Sequence, residues 1–185
     1  MSLLETAENV LARAKRAAPG AQADVFLAAA ESQTSEWSQG SAENFFSGTS
    51  HGLGLRLIQG NRLGVGYTNC LDSDAMDAVV QQAMASSRLV GEDPFVDVPS
   101  PVPWKAPFLD LKDPTISPSS WASHSAFLAE LEGKVRQRDG RITQVLKGSY
   151  HQTLLETALV NSRGISAALQ GTTVGFDIAC VASKE

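Results

Sequence analysis

Ser50-His-Gly-Leu-Gly-Leu-Arg-Leu-Ile-Gln-Gly-Asn-Arg-Leu-Gly-Val-Gly-Tyr-Thr-Asn69 reads as a β-hairpin that turns at Gly60-Asn61. A two-residue hairpin turn holds its central residues at positive φ, which glycine and asparagine tolerate. With the turn there, Gln59 stands opposite Arg62, Leu57 opposite Gly64 and Leu55 opposite Gly66, and Tyr67 is set to cover Gly54. Large residues on one strand then meet glycines on the other, and a cross-strand aromatic over a glycine is a stabilising device. Ile58, Leu63 and Val65 fall on the second face, so both faces carry apolar residues. The hairpin is therefore expected inside a sheet covered on both sides, in an α+β fold with mixed or antiparallel sheets and about three helices.

Upstream, Leu3, Ala7, Val10, Ala14 and Ala17 recur at helical spacing over residues 3–18, with Ser2 as cap and Pro19-Gly20 as stop. Two strands are expected next, Asp24 to Glu31 and Thr34 to Ser47, the second breaking near Gly40. Downstream of the hairpin, a helix over roughly 73–90 opens with Asp72, Asp74 and Asp77 near its positive dipole end. Met76, Val79, Val80, Ala83 and Ser87 form its inner face, and Gly91 is expected to end it.

Six prolines between Pro94 and Pro114 forbid regular structure over residues 92–117. Phe95, Trp104 and Phe108 predict that this segment lies packed on the surface. A third helix begins near Ser117-Pro118 with the stripe Trp121, His124, Leu128, Leu131 and Val135, and Glu130 and Lys134 pair on its outer side. Strands follow at about 142–149, 153–161 and 165–182. Ser50-His-Gly-Leu echoes Ser162-Arg-Gly-Ile, each read as ending one strand and starting another, which suggests a duplicated helix–strand–strand–turn–strand unit. The whole of 1–185 is read as one N-terminal domain, with halves 1–91 and 118–185 joined by the Pro-rich 92–117.

A net charge of −5 with no basic block excludes tight phosphate-backbone binding and a polybasic membrane patch. The acidic Met-Ser-Leu-Leu-Glu-Thr-Ala-Glu start is unlike a signal peptide, and no apolar run approaches a membrane span. Cys70 and Cys180 show no metal or redox spacing, so a reduced, cytoplasmic protein is expected.

The chemistry-bearing residue types give no constellation. His51 is read as a turn residue, His124 as a satisfied core residue and His151 as a strand edge; none has a second ligand at helical spacing, as a zinc site requires. Gly52-Leu-Gly54 lacks the third glycine and the helix of a dinucleotide loop. Cys70 has no basic neighbour and is read as a packed small hydrophobe, Glu92-Asp93 as a solvated turn and Arg56 as a surface charge. No catalytic, cofactor-binding or metal residue is assigned.

Ala-Asp-Val-Phe-Leu (23–27), His-Gly-Leu-Gly-Leu-Arg-Leu-Ile (51–58) and Arg-Leu-Gly-Val-Gly-Tyr-Thr-Asn (62–69) occur in an order that resembles the N-terminal domain of the TldD/PmbA family. Glu-Asp-Pro-Phe (92–95), Ala-Pro-x-Leu-Asp-Leu-x-Asp-Pro (106–114), Ile-Ser-Pro (116–118), Arg-Ile-Thr (141–143) and Asn-Ser-x-Gly (161–164) extend the resemblance across the chain, closer to PmbA, also called TldE, than to TldD. The resemblance implies an α+β fold and a cytoplasmic peptidase system in which TldD-like and PmbA-like subunits form a dimer that degrades or matures peptides. It places a zinc site, His-Glu-x-x-x-His, in TldD-type subunits after the N-terminal domain. The chain ends at Glu185, before that region, so no zinc ligand is carried onto any residue here. Exposed apolar surface is expected where the missing C-terminal half docks.

The leading expectation is a non-catalytic scaffold that faces peptides or a partner subunit, with extended peptides adding to an open strand edge. The alternatives are the N-terminal part of a TldD-type catalytic zinc subunit, and a non-proteolytic regulator that binds a gyrase or an antitoxin. No direct nucleic-acid or membrane contact is expected.

Overall fold

The computed structural model describes residues 2–103, 109–116 and 121–183. In chain order the elements are α1 (Leu3–Ala17), β1 (Gln22–Ser38), β2 (Ser41–Gln59), β3 (Arg62–Thr68), α2 (Ser73–Ser87), α3 (Trp121–Arg138), β4 (Ile142–Asn161) and β5 (Ser166–Ala182). The strands form one sheet in the order β3-β2-β1-β4-β5. The fold is α+β, with three helices and an antiparallel sheet. Leu111 adds an isolated parallel bridge to Gly171.

The hairpin register is the one the sequence dictates: Gln59 pairs Arg62, Leu57 pairs Gly64, Leu55 pairs Gly66 and Gly54 pairs Tyr67. Gly60 and Asn61 both sit at φ +58°. Its setting differs from expectation, because β3 is an edge strand and its second face is open: Val65 is 44% and Tyr67 74% exposed. Tyr67 does not cover Gly54 either, since a Cβ there would meet nothing within 4 Å. The glycines opposite the leucines serve α2 instead. A Cβ at Gly64 would lie 1.8 Å from the Ala83 carbonyl oxygen, and one at Gly66 would lie 2.2 Å from that of Val79. Only side-chain-free positions let a helix backbone approach a strand so closely.

Other expectations are corrected in detail. Two strands expected over 24–47 become the single β1 and the start of β2, broken at Gln39-Gly40, where both φ values are positive. β4 runs unbroken through residues expected to separate two strands. Ser50-His-Gly-Leu lies inside β2, whereas Ser162-Arg-Gly-Ile forms the β4–β5 turn, so the echo that suggested duplication marks two unlike places. α2 stops at Ser87, ahead of Gly91, because Arg88 and Leu89 bond three residues back, to Ala85 and Ser86. Ser86 and Ser87 also bond the carbonyls of Ala83 and Met84; such local bonds compete with the helix ladder.

The chain divides into two compact units: Met1–Ala30, Ser50–Leu109 and Leu155–Gln170 form unit 1, and Glu31–Thr49, Asp110–Leu154 and Gly171–Glu185 form unit 2. In unit 1, Ala7, Val10, Ala14, Val79, Val80 and Ala83 from the helices pack on Val25, Leu27, Leu55, Leu57 and Val160, all buried. A capping box at Ser2 and Glu5 starts α1. Arg13 ties α1 to α2 through the Ser73 carbonyl at 3.0 Å and Asp77 at 2.7 Å. Val98, 1% exposed, anchors the proline-rich segment, with the Asn161 amide bonding the Pro99 carbonyl. The expected aromatic anchor fails at Phe95, which is 91% exposed because the stretch is fixed by backbone and Val98. Trp104, Phe108 and the expected helix start at Ser117-Pro118 lie outside the described residues.

In unit 2, α3 buries His124, Leu128 and Glu132. The Glu130–Lys134 pair forms as expected, at 2.7 Å.

Candidate functional site

On unit 1, the face of the sheet opposite α1 and α2 carries a hollow of about 700 Å3. Its floor is Gly52 and Gly54 of β2, its walls are Phe26 of β1 and Tyr67 of β3, and Asn69 lies at one end. Strand alternation explains the arrangement: Leu53, Leu55 and Leu57 point into the core, so Gly52, Gly54 and Arg56 point out. Asp24 and Arg56 pair across β1 and β2, which sets Phe26 beside Gly54 two residues on. Phe26, Gly54 and Tyr67 thus make one row across three strands, with Phe26 48% exposed.

Arg56 is not a free surface charge. Its Nε donates to both Asp24 carboxylate oxygens at 3.0 Å, and that bond raises the guanidinium pKa further, against the cost of its partial burial. The pair neutralises itself and offers no net charge.

The open-edge expectation fails at β3. The backbone N–H of Val65 donates to Ser86 Oγ at 2.8 Å, Ser86 Oγ donates back to the Val65 carbonyl at 3.0 Å, and the Tyr67 N–H donates to Gln82 Oε1 at 3.1 Å. α2 therefore caps the edge groups that an added strand would need.

Unit 2 contains a polar cluster that the sequence pattern did not expose. Ser35 Oγ lies 2.7 Å from His124 Nδ1, and the Gln152 amide donates to Gln33 Oε1 at 2.9 Å. His124 is 3% exposed. Burial lowers its pKa, while a bond to Gln152 works the other way. Tyr150 packs against it at a tilt of 42°, with ring centroids 4.4 Å apart. Two turns on, Glu132 accepts from Trp37 Nε1 at 2.5 Å and from Arg136 Nε at 2.8 Å. Burial opposes the Glu132 charge, yet these two bonds outweigh it and hold the carboxyl below its ordinary range. The polar side chains of β1 were the available signal, since Gln33, Ser35 and Trp37 alternate on one face.

The remaining candidates are scattered. His51 is exposed in the middle of β2, not at a turn. His151 lies over Gly175, where a Cβ would fall 2.1 Å from its Nε2. Cys70 is exposed rather than packed, with Sγ 2.8 Å from Asp72 Oδ2. Glu92 pairs with Arg62 at 3.2 Å. Among the described residues no three His, Cys, Asp or Glu side chains converge as a metal would require.

Residues 23–87 match the family domain described as PmbA/TldA metallopeptidase domain 1, and residues 112–185 match the PmbA/TldA metallopeptidase central domain. The chain belongs to the PmbA/TldD family. Its fold is similar to that of TldE from Thermococcus kodakarensis, at TM-score 0.83 and 15% identity, covering 97% of this chain and 40% of that one. It is also similar to a protein proposed as a modulator of a DNA gyrase from Thermotoga maritima, at TM-score 0.77 and 12% identity, covering 98% and 40%. A third, also proposed as a modulator of DNA gyrase, comes from Bacteroides thetaiotaomicron, at TM-score 0.77 and 20% identity, covering 98% and 41%. The chain therefore spans about two fifths of the length of these structures. No curated protein matches it in sequence. No described helix is long and apolar enough to cross a membrane.

Proposed function

We propose that this chain is the non-catalytic N-terminal part of a TldE-like subunit in a cytoplasmic TldD/TldE-type zinc peptidase system, where it presents a surface to a partner subunit or to peptides. The observation that carries this reading is the succession of family domain 1 and central domain along residues 23–87 and 112–185. The likeness to a TldE fold supports the TldE side. Zinc belongs, on this reading, to the remainder of the parent protein or to a TldD-like partner, where it would activate water for amide hydrolysis. The net charge of −5 argues against direct contact with DNA.

The test is to express the complete reading frame with and without a TldD-like subunit and to assay peptide hydrolysis before and after chelation. Hydrolysis that needs the second subunit and its metal supports the proposal. A frame that carries His-Glu-x-x-x-His and hydrolyses peptides alone makes the parent catalytic and overturns the TldE assignment. Stable capture of a protein partner with no cleavage, even with the zinc subunit present, moves the role to regulation.

A further inference from the structure

Residues 92–99, between the two family matches, run across one end of the sheet as a strap, and all of their partners lie within unit 1. The strap first meets the β2–β3 turn, where the Asp93 N–H donates to the Asn61 carbonyl at 2.7 Å and Glu92 pairs with Arg62 at 3.2 Å. It next meets the first residue of β1, where Gln22 Oε1 accepts the Val98 N–H at 3.1 Å. It then meets the β4–β5 turn, where Asn161 Nδ2 donates to the Pro99 carbonyl at 2.7 Å and Arg163 pairs with Asp97. These three places follow the strand order β3-β2-β1-β4-β5. Each turn supplies one bond to the strap backbone and one arginine to a strap carboxylate.

Asn161 does two jobs at the far turn. It is 4% exposed. Its Oδ1 accepts from the Arg163 and Ile165 N–H groups at 3.0 and 2.9 Å, which closes the turn. Its Nδ2 holds the strap. The same turn is bonded to β1, since the Ser162 N–H donates to the Ala23 carbonyl at 2.8 Å and the Ala23 N–H donates to Ser162 Oγ at 3.1 Å. Ala158 and Val160 share the core cluster of Val25 and Leu27. The tip of a central-domain hairpin is therefore packed into the domain 1 fold, with the strap fastened across it.

The strap is held far less firmly than what lies beneath it. From residue 92 to 103 Val98 is the only buried side chain, and Phe95 is 91% exposed. A segment with few apolar contacts and a handful of hydrogen bonds opens at a lower free energy than the core it covers. We infer that Glu92–Pro99 is a latch over the strand ends, positioned by Asn161, which opens as a unit while the sheet stays folded. Closed, it fixes the linker between the two family segments. Open, it gives that linker up as a free chain. The latch holds on either subunit reading, because every group in it belongs to this chain.

The test is limited chymotrypsin digestion of the 185-residue chain, with the cut after Phe95 identified by mass spectrometry. A protease needs several extended residues on both sides of the bond, so that cut reports the open latch although the Phe95 ring is exposed. When reclosing is fast, the cleavage rate follows the open population. Wild type is expected to be cut much more slowly than a free peptide of residues 88–103, and the rate should change little with urea well below the unfolding midpoint, because opening exposes little surface. Asn161→Asp keeps an oxygen to close the turn but sets a carboxylate oxygen against the Pro99 carbonyl. At pH 8 it is expected to raise the cut after Phe95 about tenfold. Arg163→Ala removes only the half-exposed pair with Asp97 and should raise it about threefold. Should Asn161→Asp fail to fold, the Arg163→Ala rate decides, a rise supporting the latch and a wild-type rate overturning it. A folded Asn161→Asp cut at the wild-type rate overturns the latch. Wild-type cleavage as fast as the free peptide shows that it is not closed, and cleavage that climbs with urea along the full slope of global unfolding shows that it does not open separately; either result overturns it.

Discussion

The two units seat their helices on their sheets by different chemistry. In unit 1 the contact is made of Ala, Val, Leu and Met closed over Gly64 and Gly66, and van der Waals fit does the holding. In unit 2, α3 meets its strands through His124 on Ser35 and Glu132 on Trp37, with Leu128 between them. An apolar contact is indifferent to pH and intolerant of added volume. A hydrogen-bonded contact tolerates small volume changes better but is lost when one partner is removed or titrated, because the other is left desolvated. The comparison teaches that one family fold can hold one part by shape and another by charge state, and each can be broken without touching the other.

The largest effect is expected from volume in unit 1. Gly66→Ala or Gly64→Ala places a methyl into the Val79 or Ala83 carbonyl, at 2.2 Å and 1.8 Å. Neither backbone atom can swing away, so α2 must lift, at a cost of about 3 kcal/mol or more. Amide hydrogen exchange should show protection lost across α2 and kept across α3. An equal urea midpoint for Gly66→Ala and wild type would show that the helix is not seated as closely as its backbone distances state.

Removal of a buried partner in unit 2 comes next. Glu132→Ala takes the acceptor from Trp37 and from Arg136, and charged hydrogen bonds of this kind contribute about 1.5–3 kcal/mol. Exchange should now rise in α3 and stay unchanged in α2, the mirror image of the glycine variants. Red-shifted fluorescence from a wetter Trp37 would accompany it.

These two contacts were unequally legible beforehand. Gly60-Asn61 and the alternation of leucine with glycine specify the hairpin and its register from local chemistry alone, and the five inner residues of α2 follow from helical spacing. His124 reads as a satisfied core residue on the inner stripe of α3, but its partner is not legible, and Glu132, Ser35 and Gln33 carry no local sign of burial, because what buries them is pairing between residues about ninety or more positions apart. The same blindness split β4 in two: Tyr150-His151-Gln152 looks like a break until Tyr150 is seen against His124 and His151 over Gly175. The candidate site was half visible. Gly52 and Gly54 stood out as glycines but were weighed as half of a nucleotide loop. Their meaning depends on Phe26 and Tyr67 standing on either side, which only strand order reveals.

Acid sharpens the contrast further. His124 has a folded pKa below the ordinary 6.5, because burial penalises its charged form. Below about pH 6.5 the unfolded chain takes up a proton that the folded unit resists. The stability from neutral His124 is therefore complete above that pH and declines as pH falls toward the folded pKa. Glu132, also lowered, adds a second loss at more acid pH, below its ordinary 4.5, when the carboxylate holding Trp37 and Arg136 becomes protonated. Between pH 7.5 and 5.5, urea unfolding read by exchange should weaken in α3 and hold in α2, whose apolar seat binds no proton. In His124→Asn, which keeps a side-chain amide near Ser35, that slope should flatten. A slope surviving in the variant would assign the titration to another group.

The smallest effect is expected where a charge pair lies outside both contacts. Lys134 and Glu130 are 71% and 66% exposed and sit at i,i+4 on the outer side of α3. Water solvates each almost as well as the partner does, ordering two long side chains offsets the attraction, and salt screens what is left. Lys134→Ala should therefore leave the urea midpoint at 0.15 M salt within experimental error of wild type, although it removes an ion pair 2.7 Å long on the same helix as Glu132. Two carboxylates two residues apart, each hydrogen-bonded to a cation four residues on, then give opposite results for one reason. Glu132 faces Trp37 and the sheet, where water does not compete, and Glu130 faces the solvent. A Lys134→Ala effect as large as that of Glu132→Ala would mean that helix charge, not the buried contact, holds α3 in place.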